Sequence, residues 1–294
     1  MLLRKEKRLP FYAVFLLPGF LLFLLFFMYP NLSSFYYSLT NWNGLSAPKY
    51  IGFSNYGYLI SDDKFFPALL HTLRYALIVT LGLNALGLVL ALALDSGIRF
   101  RNVLRTVFFA PAVLSMLVVS YIWIRIFDPD GSLNTFLRFL GLDGLTHLWL
   151  GDPATALYSI TAVNIWQFAG KSMVIFLANL QTIPVELSEA AELDGATKWQ
   201  RFVHVTFPLL APSVTITTVL TAIDSMKVFD YVYAMTEGGP IESTTTITYF
   251  LYMQGLKAGQ VGYASAGAVV NFFVVAVIAL AMLGFLRRRE GRMQ

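Results

Sequence analysis

Lys171, Asp224, Lys227 and Asp230 are ionisable residues lying within, or at the end of, long apolar runs. A charged side chain at the centre of a membrane-spanning helix costs about 2.5–3.5 kcal/mol on insertion scales, so such groups default to pairing or to function. Asp224, Lys227 and Asp230 are spaced i, i+3, i+6. On a continuous helix that spacing lets Lys227 pair with either acid on adjacent turns. Lys171 comes with Asn164, Trp166 and Gln167 in the same window. Two readings fit these residue types. In one, the charges neutralise each other near the outer end of a helix and need no ligand. In the other, they belong to a polar cavity edged by aromatic rings.

Covalent chemistry finds little support in the chain. There is no cysteine, which excludes disulfides, thiolate nucleophiles and Cys-based metal sites. His71, His147 and His204 are scattered without ligand spacing, so no metal site is expected. No Ser-His-Asp set or pair of catalytic carboxylates stands out, and no phosphate-binding Gly-x-x-x-x-Gly-Lys-Ser/Thr loop is present. Gly238-Gly239-Pro240 lacks the lysine and the following helix start that phosphate cradling needs, and reads as an external turn. An enzyme is not expected.

The segment 184–206 is a polar insert between apolar runs. Pro184 suits a first helical turn. Glu186, Glu189 and Glu192 follow, acids that favour a helix N-terminus. Gly195 supplies a position where a left-handed conformation comes at little cost. Thr197 with Gln200 three residues later makes a capping-box signature for a second helix, whose Trp199, Phe202 and Val203 share one face. An amphipathic hairpin at the membrane surface and a docking element for another protein both fit this pattern.

These groups need a scaffold, and composition says which. The 294 residues are 57% hydrophobic and 13% charged, against about 45–50% and about 25% in soluble domains. Too few charges remain to cover the surface unless lipid covers much of it. Spanning about 30 Å of hydrocarbon takes about 20 helical residues. Six runs qualify, at about 11–29, 69–94, 103–127, 154–180, 207–229 and 264–286. Pro30 is expected to end the first, which is too long for a signal-peptide core and lacks a cleavage site. The expectation is one all-α membrane domain over 1–294, with six transmembrane helices and a helix-Gly-helix insert. Thirteen of the 21 Lys and Arg residues fall at the N-terminus, in the second-to-third loop, in the insert and in the C-terminal tail. The opposite loops hold only Lys49, Lys64, Arg138 and Lys257. By the positive-inside rule both termini and the insert are cytoplasmic.

Glu189-Ala190-Ala191 followed by Gly195, then Val205, Phe207 and Pro208, resemble the Glu-Ala-Ala signature of inner-membrane permease subunits of bacterial binding-protein-dependent ABC importers. Val205 and Phe207 replace that signature's Ile and Leu. Leu180-Gln181-Thr182-Ile183-Pro184, Asp194-Gly195-Ala196, and Phe229-Asp230 leading to Thr236-Glu237-Gly238-Gly239-Pro240, are similar to the carbohydrate branch, the maltose and glycerol-3-phosphate permease group. The resemblance implies a type I ABC importer permease in the bacterial cytoplasmic membrane. It implies a second permease subunit, two copies of an ABC ATPase that carry the ATP and Mg, and an extracytoplasmic solute-binding protein. No cofactor on this chain and no nucleic-acid partner are implied. Glu189, Ala190, Ala191, Asp194 and Gly195 are then the ATPase-coupling residues.

With a sugar as substrate, Asn164, Gln167, Asp224 and Asp230 become candidate contacts for hydroxyls. Trp166, Phe229 and Tyr231 become candidates for packing on ring faces. Asn271 is a further candidate, while interhelical hydrogen bonding suits both it and Asn84. Glycerol-3-phosphate is a rival substrate, although its phosphate should attract a basic cluster larger than Lys171 and Lys227. An ion-coupled secondary transporter using those charges is the rival from another class.

Overall fold

The computed structural model describes residues 9–96 and 98–290. The basic N-terminal residues Arg4, Lys5, Lys7 and Arg8, and Arg292 in the tail, lie outside them. The chain divides into two compact units, Met1–Asp62 with Leu251–Phe272, and Asp63–Phe250 with Phe273–Gln294.

In the first unit, α1 (Leu9–Phe23), a π-type turn at Leu24–Met28 and α2 (Tyr29–Tyr37) make one apolar run. Pro30 does not end it, contrary to the sequence expectation, and the helix continues to Tyr37. A proline removes one donor from the ladder. Here the wide turn just ahead has already shifted the bonding register, so that loss falls at its edge. The chain then folds back through an isolated Thr40–Tyr50 bridge to α3 (Ser54–Ser61). Buried Asn55 on α3 donates to the carbonyls of Ser38 and Thr40, both at 2.8 Å. The loop also lies against the start of α15 (Val261–Glu290). There Gly262 donates its N–H to Trp42 O at 2.8 Å, and any Cβ at that position would collide with Thr40 O.

The second unit is built around α4 (Phe65–Asp95), α8 (Ala156–Leu180) and α12 (Ala211–Ser225). Helices α4 and α8 pack backbone to backbone at Gly87, where a Cβ would lie 2.6 Å from Ser172 Cβ. Small residues that let helices approach are a common solution where lipid supplies no hydrophobic drive. Tyr75, Val79, Ile160, Val163 and Val232 form one buried core. Ala91, Leu94, Met173, Phe176 and Leu210 form another.

The all-α membrane architecture holds. Among the described residues four helices are individually long and apolar enough to span, and six if each of two bent pairs counts as one span. The expected third span is α5 (Arg101–Phe109), a 3-10 turn at Ala110–Val113 and α6 (Met116–Ile126), bent by 98°. Pro111 lies in the turn, and Leu114 and Ser115 are extended. The expected fifth span is reached from the insert through Lys198–Leu209, bent by 64° against α12 around Pro208 and Pro212. Large apolar side chains such as Phe15, Phe26, Leu280 and Phe285 stay exposed, as lipid-facing helices require.

Candidate functional site

An internal cavity of about 410 Å3 opens in the second unit between α4, α8, α12 and the segment after α12. From α8 come Asn164, Phe168, Lys171 and Ser172. Positions i, i+4, i+7 and i+8 share one helix face. Helix α12 contributes Thr217, Leu220, Thr221 and Asp224 by the same rule. Lys227, Phe229, Asp230 and Tyr231 close one end.

Five of the residues expected from sequence therefore meet at one cavity: Asn164, Asp224, Phe229, Asp230 and Tyr231. Three do not line it. Trp166 sits two residues past Asn164, about 200° around the helix. It is 44% exposed and stands edge-on to Trp123 at 5.4 Å between centroids. Asn271 belongs to the first unit, and its Oδ1 is buried without a hydrogen-bond partner.

Gln167 is fully buried and structural. Its Nε2 donates to Leu114 O at 2.9 Å, and its Oε1 accepts the Tyr231 hydroxyl at 2.6 Å. Leu114 sits at the break in the third span, where the extended backbone leaves a carbonyl without a helical partner. One amide thus satisfies that carbonyl and fixes Tyr231 at the cavity edge. A buried carbonyl left unpaired costs about 1–3 kcal/mol, which is why a buried glutamine is tolerated here.

The charge pattern differs from the helical expectation. Lys171 on α8 pairs with Asp224 on α12 at 3.8 Å, whereas Lys227 makes no ion pair within 4 Å among the described residues. The i, i+3, i+6 argument fails because α12 ends at Ser225 and α13 (Asp230–Met235) begins only at Asp230. The intervening carbonyl of Val228 accepts from the buried Thr246 hydroxyl at 3.1 Å. Side chains of Lys171 and Asp224 are more than half exposed, so their attraction is screened and worth under about 1 kcal/mol.

The sequence reading does not anticipate the threonines. Thr217 and Thr221 line the cavity, and Asn84 Oδ1 accepts from Thr217 at 2.6 Å and Thr218 at 3.2 Å, tying α4 to α12. Asn84 thereby does the interhelical work expected of it. The Thr217, Thr221, Asp224 spacing carried the signal for the lining.

The insert folds largely as its residues ask. Helix α9 (Val185–Leu193) ends in a Schellman motif: Ala196 N–H bonds Ala191 O and Gly195 N–H bonds Glu192 O, both at 3.0 Å, with Gly195 at φ +79°. Thr197 then caps α10 (Lys198–Arg201) through a complete capping box with Gln200. Pro184 stands one position earlier than expected, as the N-cap of α9. Arg201 pairs with Glu192 across the hairpin. Glu189, Ala190, Asp194 and Gly195 are exposed, Ala191 half-buried. The large apolar residues Leu193 and Trp199 are 90% and 70% exposed, the Trp199 ring tilted against Phe202 at 5.6 Å between centroids.

Residues 83–292 match the family described as "Binding-protein-dependent transport system inner membrane component". The chain is 33% identical over 283 residues, 96% of both proteins, to a probable starch degradation products transport system permease protein, AmyD, of Thermoanaerobacterium thermosulfurigenes. It is 34% identical to the multiple sugar-binding transport system permease protein MsmF of Streptococcus mutans, over 94% of this chain and 95% of that one. Among solved structures, a chain of a bacterial alginate ABC transporter in complex with an alginate pentasaccharide-bound periplasmic protein superposes with a TM-score of 0.83. It is 26% identical, over 99% of this chain and 98% of that one.

Proposed function

The chain belongs to the binding-protein-dependent transport system inner membrane components, and from that premise we propose that it carries a sugar through the membrane as half of a permease pair. It is an ABC importer permease subunit with a type I importer fold. The observation that supports a sugar is the cavity, where amide, hydroxyl, ammonium and carboxylate groups are edged by Phe168, Phe229 and Tyr231. Hydroxyl-rich solutes need paired donors and acceptors together with flat apolar faces. Two lysines are matched there by two aspartates, which leaves no net positive charge to favour a phosphate ester. The likeness to starch-product and multiple-sugar permeases points the same way.

In this reading Glu189–Gly195 seats in a cleft of a separate ATPase that holds ATP and Mg. A second permease and a second ATPase copy complete the complex, and an extracytoplasmic binding protein delivers the sugar. The self-capped shape of the insert and its exposed Leu193 and Trp199 support such docking. The distribution of Lys and Arg supports a cytoplasmic insert and cytoplasmic termini. ATPase closure would draw the inserts together and turn the cavity from inward- to outward-facing.

Co-purification of the tagged chain in mild detergent tests this. The expected companions are an ATPase subunit and a second six-span permease, and vesicles holding the full complex should import a sugar only with ATP and binding protein present. A lone chain that carries solute down a proton gradient would overturn the reading in favour of a secondary transporter.

A further inference from the structure

The first unit holds a larger cleft than the cavity just described, about 730 Å3 and open on one side, within the range of about 300–1,000 Å3 of small-molecule sites. None of its lining residues belongs to the other cavity. Its walls are aromatic and polar together. Trp42, Tyr58 and Tyr263 supply rings, and Asn41, Gln260 and Asp62 supply amides and a carboxylate.

The arrangement is braced. Trp42 stacks on Tyr37 at 4.0 Å and 25°, and its backbone carbonyl is held by Gly262. The Asp62 carboxylate accepts the Tyr263 hydroxyl. Asn55, buried in the wall, spends its amide on Ser38 and Thr40, which fixes the loop carrying Asn41 and Trp42. Tyr and Trp at a bilayer surface are ordinary interfacial anchors. Anchors, however, need neither a concavity nor an oriented carboxylate among amides. A carboxylate with amides beside exposed ring faces is the set that recognises vicinal hydroxyls and the C–H face of a pyranose.

We propose that this cleft is a second saccharide site, on the extracytoplasmic side, which holds a sugar unit against Trp42 and Tyr58 with Asp62 and Gln260 on its hydroxyls. The proposal rests on the carbohydrate reading and on the orientation set by Lys and Arg. It adds a site to that reading, in a unit to which the transport cavity contributes nothing.

The absence of native cysteine makes a clean test possible. Ser61→Cys places one thiol in the cleft wall, and Ser46→Cys places one on the same loop region outside it. The assembled transporter in right-side-out vesicles is treated with a membrane-impermeant maleimide, with and without maltotriose, lactose or N,N′-diacetylchitobiose. Sugar import is measured on the same vesicles. The expected result is ready labelling of both variants and a several-fold slowing in Ser61→Cys by one of the sugars, with Ser46→Cys unaffected. Adding Trp42→Ala to Ser61→Cys should abolish that protection while leaving assembly intact. Import of a sugar with no protection by any of the three overturns the second site and leaves the importer standing. Failure of Ser61→Cys to label without sugar overturns it too, since the cleft is then covered in the complex. Absence of both import and protection sinks the carbohydrate reading and this site with it.

Discussion

The insert and the cavity are assembled on opposite principles. In the insert each defining bond joins near neighbours: the Gly195 closure, the Thr197–Gln200 box and the Glu192–Arg201 pair, the last only nine residues apart. In the cavity the defining bonds reach across the chain. Gln167 to Leu114 spans 53 positions, Tyr231 to Gln167 spans 64, and Thr217 to Asn84 spans 133. A device built from neighbours keeps its shape whatever the surrounding helices do. One built from distant partners changes shape whenever those helices move. On the proposed function, the insert as a coupling handle needs the first property and the cavity as a solute path needs the second.

This contrast makes function and stability separable in one region and entangled in the other. The largest effect is expected from Ala190→Arg, which places a long charged side chain on the exposed face of α9. Uptake by reconstituted complexes should fall to background while the thermal unfolding midpoint in detergent stays put, because Ala190 is exposed. Normal uptake, or a large loss of stability, would break the distinction. Next in size is Gln167→Leu, which orphans Leu114 O and the Tyr231 hydroxyl. About 1–3 kcal/mol of stability should go, less if the groups find new partners as membrane-buried ones often do. Thermal unfolding reads that loss directly, and uptake should fall with it.

Asp224→Asn sharpens the picture within the cavity itself. It removes an exposed ion pair worth under about 1 kcal/mol, so the unfolding midpoint should barely shift. Sugar uptake should nevertheless drop several-fold at limiting substrate. If both stay unchanged, the cavity is not the path. The smallest effect belongs to Trp166→Leu. The ring lies off the cavity lining, and initial uptake rates should match those of the unsubstituted protein.

What sequence could reveal follows the same division. The Gly195 turn and the Thr197–Gln200 box are legible because their causes lie within four residues. The spans are legible because apolar length is a local property. Gln167 lies off the cavity lining because its amide answers a break at Leu114, and nothing near position 167 announces that break. Lys227 stays out of the pairing its spacing allows because that pairing needs a continuous helix, whereas α12 stops at Ser225. The error at Pro30 has a like origin, since the wide turn at Leu24–Met28 that accommodates it carries no distinctive residue. For Trp166 the helical period alone gives a position off the face shared by Asn164, Phe168 and Lys171.

The Gln167 amide is clamped at both ends, to the start of α6 through Leu114 and to α13 through Tyr231. Nearby, Gly170 leaves so little room that a Cβ would run into Phe108 O. Sliding α8 past α6 would break the first of these bonds, sliding it past α13 the second, and sliding it past α5 would bring Gly170 over a backbone carbonyl. Helix α8 is therefore keyed to its neighbours at successive heights, by a side-chain amide at Gln167 and by a missing side chain at Gly170.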